Sequence, residues 1–304
     1  MKEKRKIEKA KTKKRPRKKL FNSDSKSYGV LCQRPDITES LQKEKTDKFL
    51  KQLTLSKEQK LELMQKTSTQ SESAMWFEER RKRLTASNFG QVCKMLPTTN
   101  CARIVKSLLY STFENSATRY GKTNEPKAIK ALEMQMSIKI DSCGLCIDSE
   151  FPFLGASPDG IVANSEGIVE IKCPLTSNDK HPIDYLRNGR HLLIPHKDEE
   201  SIISINRKHD HFYQIQGQLH ITQKEYCLFA VWSPLGLIIE KIVKEDAFWK
   251  EHMESHLVKF YTNCILPEII DPRHPRSMPI REPQYILDAQ NIKLLKKKKK
   301  EPKC

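Results

Sequence analysis

Apolar positions along this chain fall into two periods, and the change from one to the other sets its order of elements. Residues 1–70 hold few apolar residues; one weak helical stretch, "TESLQKEKTDKFLKQL", interrupts a polar run that reads as an arm. Order begins at "AMWFEERRKRL", where Trp76 and Phe77 open a helical pattern. Thr85 or Ser87 then caps a second helix with apolar positions Phe89, Val92 and Leu96, and "CARIVKSLLYSTF" reads as a third. In "RYGKTNEPKAIKALEMQM" Gly121 predicts a break, Thr123 or Asn124 a cap and Pro126 a first turn, with Ile129, Leu132 and Met136 as the buried stripe and Glu125 at the helix start.

The period then shortens to two. "GLCID", "FLGAS", "PDGIVA" and "GIVEIKCP" read as strands, the last two joined by a turn in "ANSEG". A polar loop over about 178–208 precedes a helix in "HDHFYQIQGQLHIT", which buries Phe212, Ile215 and Leu219 and turns His211, Gln214 and Gln218 to another face. Strands "YCLFAVWS" and "LIIEKIVK" and an amphipathic helix "EDAFWKEHMESHLVKFY" close the pattern. The order predicts a mixed α/β (α+β) domain around one central sheet, over residues 71–265, between an arm at 1–70 and an extended basic tail at 266–304.

Charge separates the ends from the middle. The 55 Lys and Arg against 38 Asp and Glu give a net charge of +17, and "MKEKRKIEKAKTKKRPRKKL" and "LLKKKKKEPKC" hold a large share of it. Such tails have little to bury, which predicts disorder, with solvation, nuclear entry and nucleic-acid contact as compatible uses. A polyanion is the partner that this balance favours, because each phosphate neutralised releases counterions. No run of about 18 apolar residues predicts a membrane span, and the basic N-terminus lacks the apolar segment of a secretory signal. The nine scattered cysteines suit free thiols in a reducing compartment. An intracellular, nuclear protein without a membrane partner is therefore expected.

Candidate chemistry concentrates in "LGASPDGIVANSEGIVEIKCP". Alternation puts Glu170 and Lys172 on one strand face, and pairing around the turn brings Asp159 close to Glu170. Two carboxylates and a backbone carbonyl, that of Ile171, are hard oxygen ligands suited to Mg²⁺ or Mn²⁺ with waters retained. Lys172 then stands where it would steady or deprotonate a nucleophilic water. A salt bridge on a half-exposed sheet is the plainer reading of the same residues. Cys143 with Cys146, and His252 with His256, have metal-like spacings but lack the further ligands that a structural zinc needs.

An aspartate, ten intervening residues, a glutamate, one residue and a lysine form the signature of the PD-(D/E)XK nucleases. With "WFEERRKRLTAS", "YGKTNEP", "SPDG", "EIKCP" and "YQIQGQL" in order, residues 74–260 resemble the lambda-exonuclease-like, YqaJ-type viral recombinase family. The resemblance implies a restriction-endonuclease-like core, a central mixed sheet flanked by helices, and metal-dependent hydrolysis of DNA. By it, Asp159 and Glu170 are metal ligands, Lys172 the catalytic lysine, Glu125 a catalytic acidic residue and further metal ligand, and Gln214 the glutamine beside the scissile bond. Arg80, Ser87 and Ser157 match the positions that grip a terminal 5′-phosphate. An ordinary helix cap, a solvated helix face and a first-turn acid are the plainer readings of Ser87, Arg80 and Glu125. The chain departs from the pattern at Asn178, followed by Lys180, where an arginine is expected, and at Ser142, beside Asp141, where an acid is. The expected activity is an exonuclease running 5′ to 3′ from duplex ends in repair or recombination, leaving a single-stranded product, with a homo-oligomer or a recombination or repair protein as partner. The rival expectation is a DNA-binding or assembly protein that keeps the fold without turnover.

Overall fold

The computed structural model describes residues 35–111, 115–184, 193–195 and 203–298. The basic stretches at 1–34 and 299–304, and residues 185–192 and 196–202 of the polar loop, lie outside these described residues.

Part of the expected arm folds. Helix α1 (Glu39–Leu53) starts at Thr38, whose hydroxyl caps Leu41 N, and α2 (Lys57–Lys66) starts with a reciprocal capping box between Ser56 and Gln59. Their weak stripes are enough because Leu53 and Leu63 find partners elsewhere in the chain: Leu53 joins the largest apolar cluster, and Leu63 packs with Leu145 and Ile147.

Next come α3 (Ala74–Arg81), a short strand β1 (Leu84–Thr85) and α4 (Phe89–Cys93). The second helix is shorter than its apolar spacing predicts. It stops at Cys93 and leaves Leu96 exposed, while Thr85 spends its backbone on β-pairing and caps nothing. Helix α5 (Ala102–Tyr110) follows as expected.

Helix α6 (Ser116–Met136) corrects the reading of "RYGKTNEP". It runs unbroken through Gly121 and carries Pro126 inside, because Asn115 and Thr118 supply a capping box that starts the helix about three turns before Pro126. Glu125 is therefore mid-helix.

The central sheet has five strands in the order β10-β9-β6-β5-β2: β2 (Ile140–Asp141), β5 (Gly160–Val162), β6 (Gly167–Lys172), β9 (Tyr226–Ser233) and β10 (Gly236–Val243). It is mixed, since β6 runs parallel to β9 while the other pairs are antiparallel. The chain does not keep all its strands in that sheet. β1, β4 (Leu154–Ala156) and β3 (Cys146–Ile147) form a separate three-stranded one, and β7 (Leu193–Pro195) pairs with β8 (Ile203–Ile205).

Both faces of the central sheet are covered, which explains runs as apolar as "YCLFAVW". Ile168, Phe229 and Val231 meet Phe212, Ile215 and Leu219 of α7 (Asp210–Thr222) on one face; Val169, Ile171, Leu228 and Ala230 meet Ala128 and Leu132 of α6 on the other. The C-terminal helix breaks at the fully buried Met253 into α8 (Asp246–His252) and α9 (Glu254–Phe260), and a π turn over Tyr261–Ile265 leads to α10 (Leu266–Ile270).

The expected C-terminal tail is also ordered over most of its length. Helix α11 (Gln284–Lys298) buries Ile286 completely, and Asp36 pairs with Arg273, Arg276 and Arg281 while Asp271 pairs with Arg276 and Arg281, tying the first described residues to the segment before α11.

Candidate active site

The hairpin of β5 and β6 sets the site. Gly160 pairs with Val169, so Asp159 stands opposite Glu170, and the turn between the strands uses Asn164 at a left-handed φ of 53°. Asp159 N–H donates to Val169 O at 3.0 Å, and its Oδ2 accepts from Ile171 N at 2.6 Å. Gly160 has no room for a side chain, because a Cβ there would lie 2.3 Å from Ile140 Cγ2.

Glu170 is 2 % exposed on the sheet face that α7 covers. Gln214 and Gln218, one turn apart on α7, donate to it: Gln214 Nε2 to Oε1 at 2.8 Å and Gln218 Nε2 to Oε2 at 2.7 Å. Lys172 Nζ adds a charge-assisted bond to Oε1. Gln214 thus bonds Glu170 from the helix face on which the sequence pattern puts it. Gln218 and His211 lay on the same predicted face without a role; the i, i+4 spacing of the two glutamines is the signal that pairs Gln218 with Gln214.

Asp159, Ile171, Lys172, Glu125 and His211 all line one cavity of about 920 Å³, whose other walls come from Ser68–Glu72, Trp76 and the start of α6. Burial first, then the charges of Glu170 and Glu125, push Asp159 well above the usual carboxylate range, and Lys172 and the Ile171 N–H oppose them. Glu125 is raised as well, by burial and then by Glu170. For Lys172 burial works against the charge, but Glu170 and Asp159 outweigh it and the ammonium is held above its ordinary value. Burial, Lys172 and His209 together drive His211 down to about 2, so its ring is neutral.

Asp159, Glu170 and Glu125 act on one another and outnumber the Lys172 and Lys122 ammonium groups that face them. That donor set fits a hard divalent cation, which characteristically takes one or two carboxylates and completes its shell with water and substrate oxygen. Asp159, Glu170 and the Ile171 carbonyl are the groups that would hold it. Among the described residues no three His, Cys, Asp or Glu side chains converge as a ready-made ligand group. Glu125, kept on α6, belongs to another wall of the cavity than the hairpin pair.

The three expected phosphate contacts also come together. Arg80 Nη2 lies 3.4 Å from Ser87 Oγ, and its guanidinium stacks over the Trp76 ring at 4.1 Å. Trp76 Nε1 donates to Ser157 Oγ at 3.0 Å, so Trp76, not expected at the site, links the two halves of the pocket. Ser87 caps no helix; its hydroxyl instead meets Thr85 Oγ1 and Asn88 Nδ2, both at 3.3 Å. Burial lowers the Arg80 guanidinium and the Glu170 charge opposes this, which places the arginine within electrostatic reach of the buried carboxylate. Asn178, the departure from the pattern, has its Oδ1 occupied by the Tyr120 hydroxyl at 2.9 Å, and Ser142 and Asp141 line the same cavity.

Residues 75–225 match the sequence pattern of the YqaJ-like viral recombinase domain. The chain carries a YqaJ-like viral recombinase domain. The YqaJ-like span contains every residue of the hairpin, the α7 glutamines and the Arg80 pocket, and it ends just before β9. Comparison with curated proteins gave no match. Among solved structures, an alkaline exonuclease from Laribacter hongkongensis is 22 % identical, with a TM-score of 0.51 over 67 % of this chain and 98 % of that one. The same exonuclease in complex with dAMP is also 22 % identical, at a TM-score of 0.51 over 65 % and 94 %. A phage-related exonuclease from Haemophilus somnus 129PT is 12 % identical, at a TM-score of 0.44 over 64 % and 96 %. The Laribacter likeness shows that the YqaJ-like domain here has the alkaline exonuclease fold.

Proposed function

We propose that this chain is a metal-dependent deoxyribonuclease, an exonuclease that runs 5′ to 3′ from duplex DNA ends in recombination or repair. The observation that carries the proposal is that Asp159 and Lys172 line one cavity while Glu170, opposite Asp159 and bonded to Lys172, has both its oxygens held by α7. A structural salt bridge has no use for two glutamines and a second carboxylate opposite the first. The YqaJ-like span and the exonuclease fold agree with this reading.

When bound, Mg²⁺ or Mn²⁺ would lower the pKa of a water and offset charge on the scissile phosphate. Asp159 and Glu170 hold the negative charge that receives the cation. Gln214 and Gln218 keep the Glu170 carboxylate from rotating, and Gln214 lies nearest the Lys172 end of it. Lys172, kept charged by its carboxylates, is placed to orient the attacking water and to offset charge on the departing oxygen. Arg80 offers a planar fork to phosphate oxygens, with the Ser87 and Ser157 hydroxyls beside it; this pocket suits a terminal 5′-phosphate. The net charge of +17 supports a DNA partner, and the basic runs at both ends support a nuclear location.

The test is incubation of linear and closed circular duplex DNA with the protein and Mg²⁺, with and without chelator. Linear DNA is expected to be degraded and circular DNA spared, chelator to stop the reaction, and Lys172→Ala to slow it by about 10²–10⁴-fold. A 5′-hydroxyl end should be cut more slowly than a 5′-phosphate end. Equal loss of both DNA forms would remove the exonuclease reading; binding without cleavage, or cleavage that survives Asp159→Ala, would remove the active site.

A further inference from the structure

We infer that Gln70, which lies before the YqaJ-like span, is a positioning residue that sets the Asp159 carboxylate for the reaction; the inference rests on the nuclease reading above. Three hydrogen bonds fix Asp159. Its N–H and its Oδ2 are held within the hairpin, by Val169 O and Ile171 N. The third acts on the preceding carbonyl: Gln70 Nε2 donates to Pro158 O at 2.8 Å and, from the same nitrogen, to Cys143 O at 2.9 Å. A primary amide has two N–H groups, one for each carbonyl. Of the three bonds, the one from Gln70 alone comes from outside the hairpin, and the peptide that joins Pro158 to Asp159 is thereby held at both its oxygen and its nitrogen.

The backbone of Gln70 supports a built device. Its φ is +44°, in the left-handed region that residues with a Cβ avoid, and such a conformation persists only where the surroundings over-determine it. The surroundings do so one turn earlier. Thr67, fully buried, donates its hydroxyl to Leu63 O at 2.6 Å and accepts from Leu145 N at 2.8 Å. Gly144 sits so close to this segment that a Cβ on it would lie 2.0 Å from Met64 O. The end of α2 is thus clamped on the Cys143–Cys146 segment, and Gln70 is carried to the cavity wall with its amide aimed at the Pro158 carbonyl. Gln70 does not reach the reacting atoms in this arrangement; it acts through Asp159.

The experiment compares wild type, Gln70→Glu and Gln70→Ala as full chains. Glutamate keeps the size but faces two carbonyls with acceptors only; alanine removes the donor without adding repulsion. On linear duplex DNA with Mg²⁺, kcat is expected to fall by about 10–100-fold in both variants, as for other partners that orient a ligand. KM for DNA should stay within about two-fold, since no DNA contact is removed. Mn²⁺ binding, followed by calorimetry, should weaken by a similar factor while the circular-dichroism spectrum stays that of the folded wild type. Wild-type kcat and Mn²⁺ affinity in Gln70→Glu would overturn the role, as would a loss of KM alone. If the wild type does not cleave DNA, the nuclease reading fails by itself and Mn²⁺ affinity still decides Gln70. A wild type that neither cleaves nor binds Mn²⁺ overturns both.

Discussion

Asp159 is a carboxylate whose surroundings favour its protonated form, and the sign of its effect on stability follows. Below the unfolded value of about 3.9 both states carry the proton and nothing is lost. As pH rises past that value the unfolded chain releases its proton first, so the folded chain in chelator loses stability until its own, raised value is passed. Asp159→Asn should therefore raise the thermal midpoint at pH 7, each kcal/mol of relief reading as about 2–4 °C, with the gain vanishing below about pH 4. It should abolish cleavage at the same time. Gln218 carries the opposite expectation. Its Nε2 satisfies an oxygen of a carboxylate that is 2 % exposed, so Gln218→Met should destabilise by about 1–3 kcal/mol in a denaturant melt and lower the cleavage rate.

At the scale of elements, α6 shows how a local signal is overruled. Gly121 and Pro126 mark a boundary when read alone, yet the helix starts at Ser116 because Asn115 and Thr118 satisfy each other's backbone groups. Once α6 is nucleated there and packed through Ala128 and Leu132, continuing through one glycine and one proline costs less than breaking it. Asn115→Ala should cost about 1 kcal/mol in thermal or chemical unfolding and loosen the cavity wall that carries Glu125. Helix α7 is the contrary case. Its apolar stripe and its Gln214 and Gln218 face were legible because period and burial agree: Ile215 and Leu219 bury themselves against the sheet while the glutamines reach Glu170 from the same helix.

At the scale of the molecule, the two ends of the described chain are clasped. Asp271 is fully buried and pairs with Arg276 and Arg281, and Asp36 reaches Arg273, Arg276 and Arg281 from the other end of the sequence. Removing one partner from a buried ion network strands the others, so Asp271→Ala should destabilise by about 3–5 kcal/mol, measured by denaturant titration at neutral pH. The residues joined lie more than 230 positions apart, which is why an arm and a tail were expected where the structure has packed helices. Their short stripes are too weak to signal order by themselves; Leu53 and Ile286 become core only because the largest cluster accepts both.

The sequence by itself determined the alternation in "GIVEIK", the turn before it and the stripe of α7. These are local periodicities, and they were enough to bring Asp159, Glu170 and Lys172 to one place; Gln214 was put beside them by the family resemblance. Tertiary structure alone decided that Gln218 completes the hold on Glu170, that Trp76 bridges Arg80 to Ser157, and that Gln70 reaches Pro158 across 88 positions. Contacts between residues so far apart in the chain leave no period in the sequence, because they depend on which surfaces the packed core leaves facing each other.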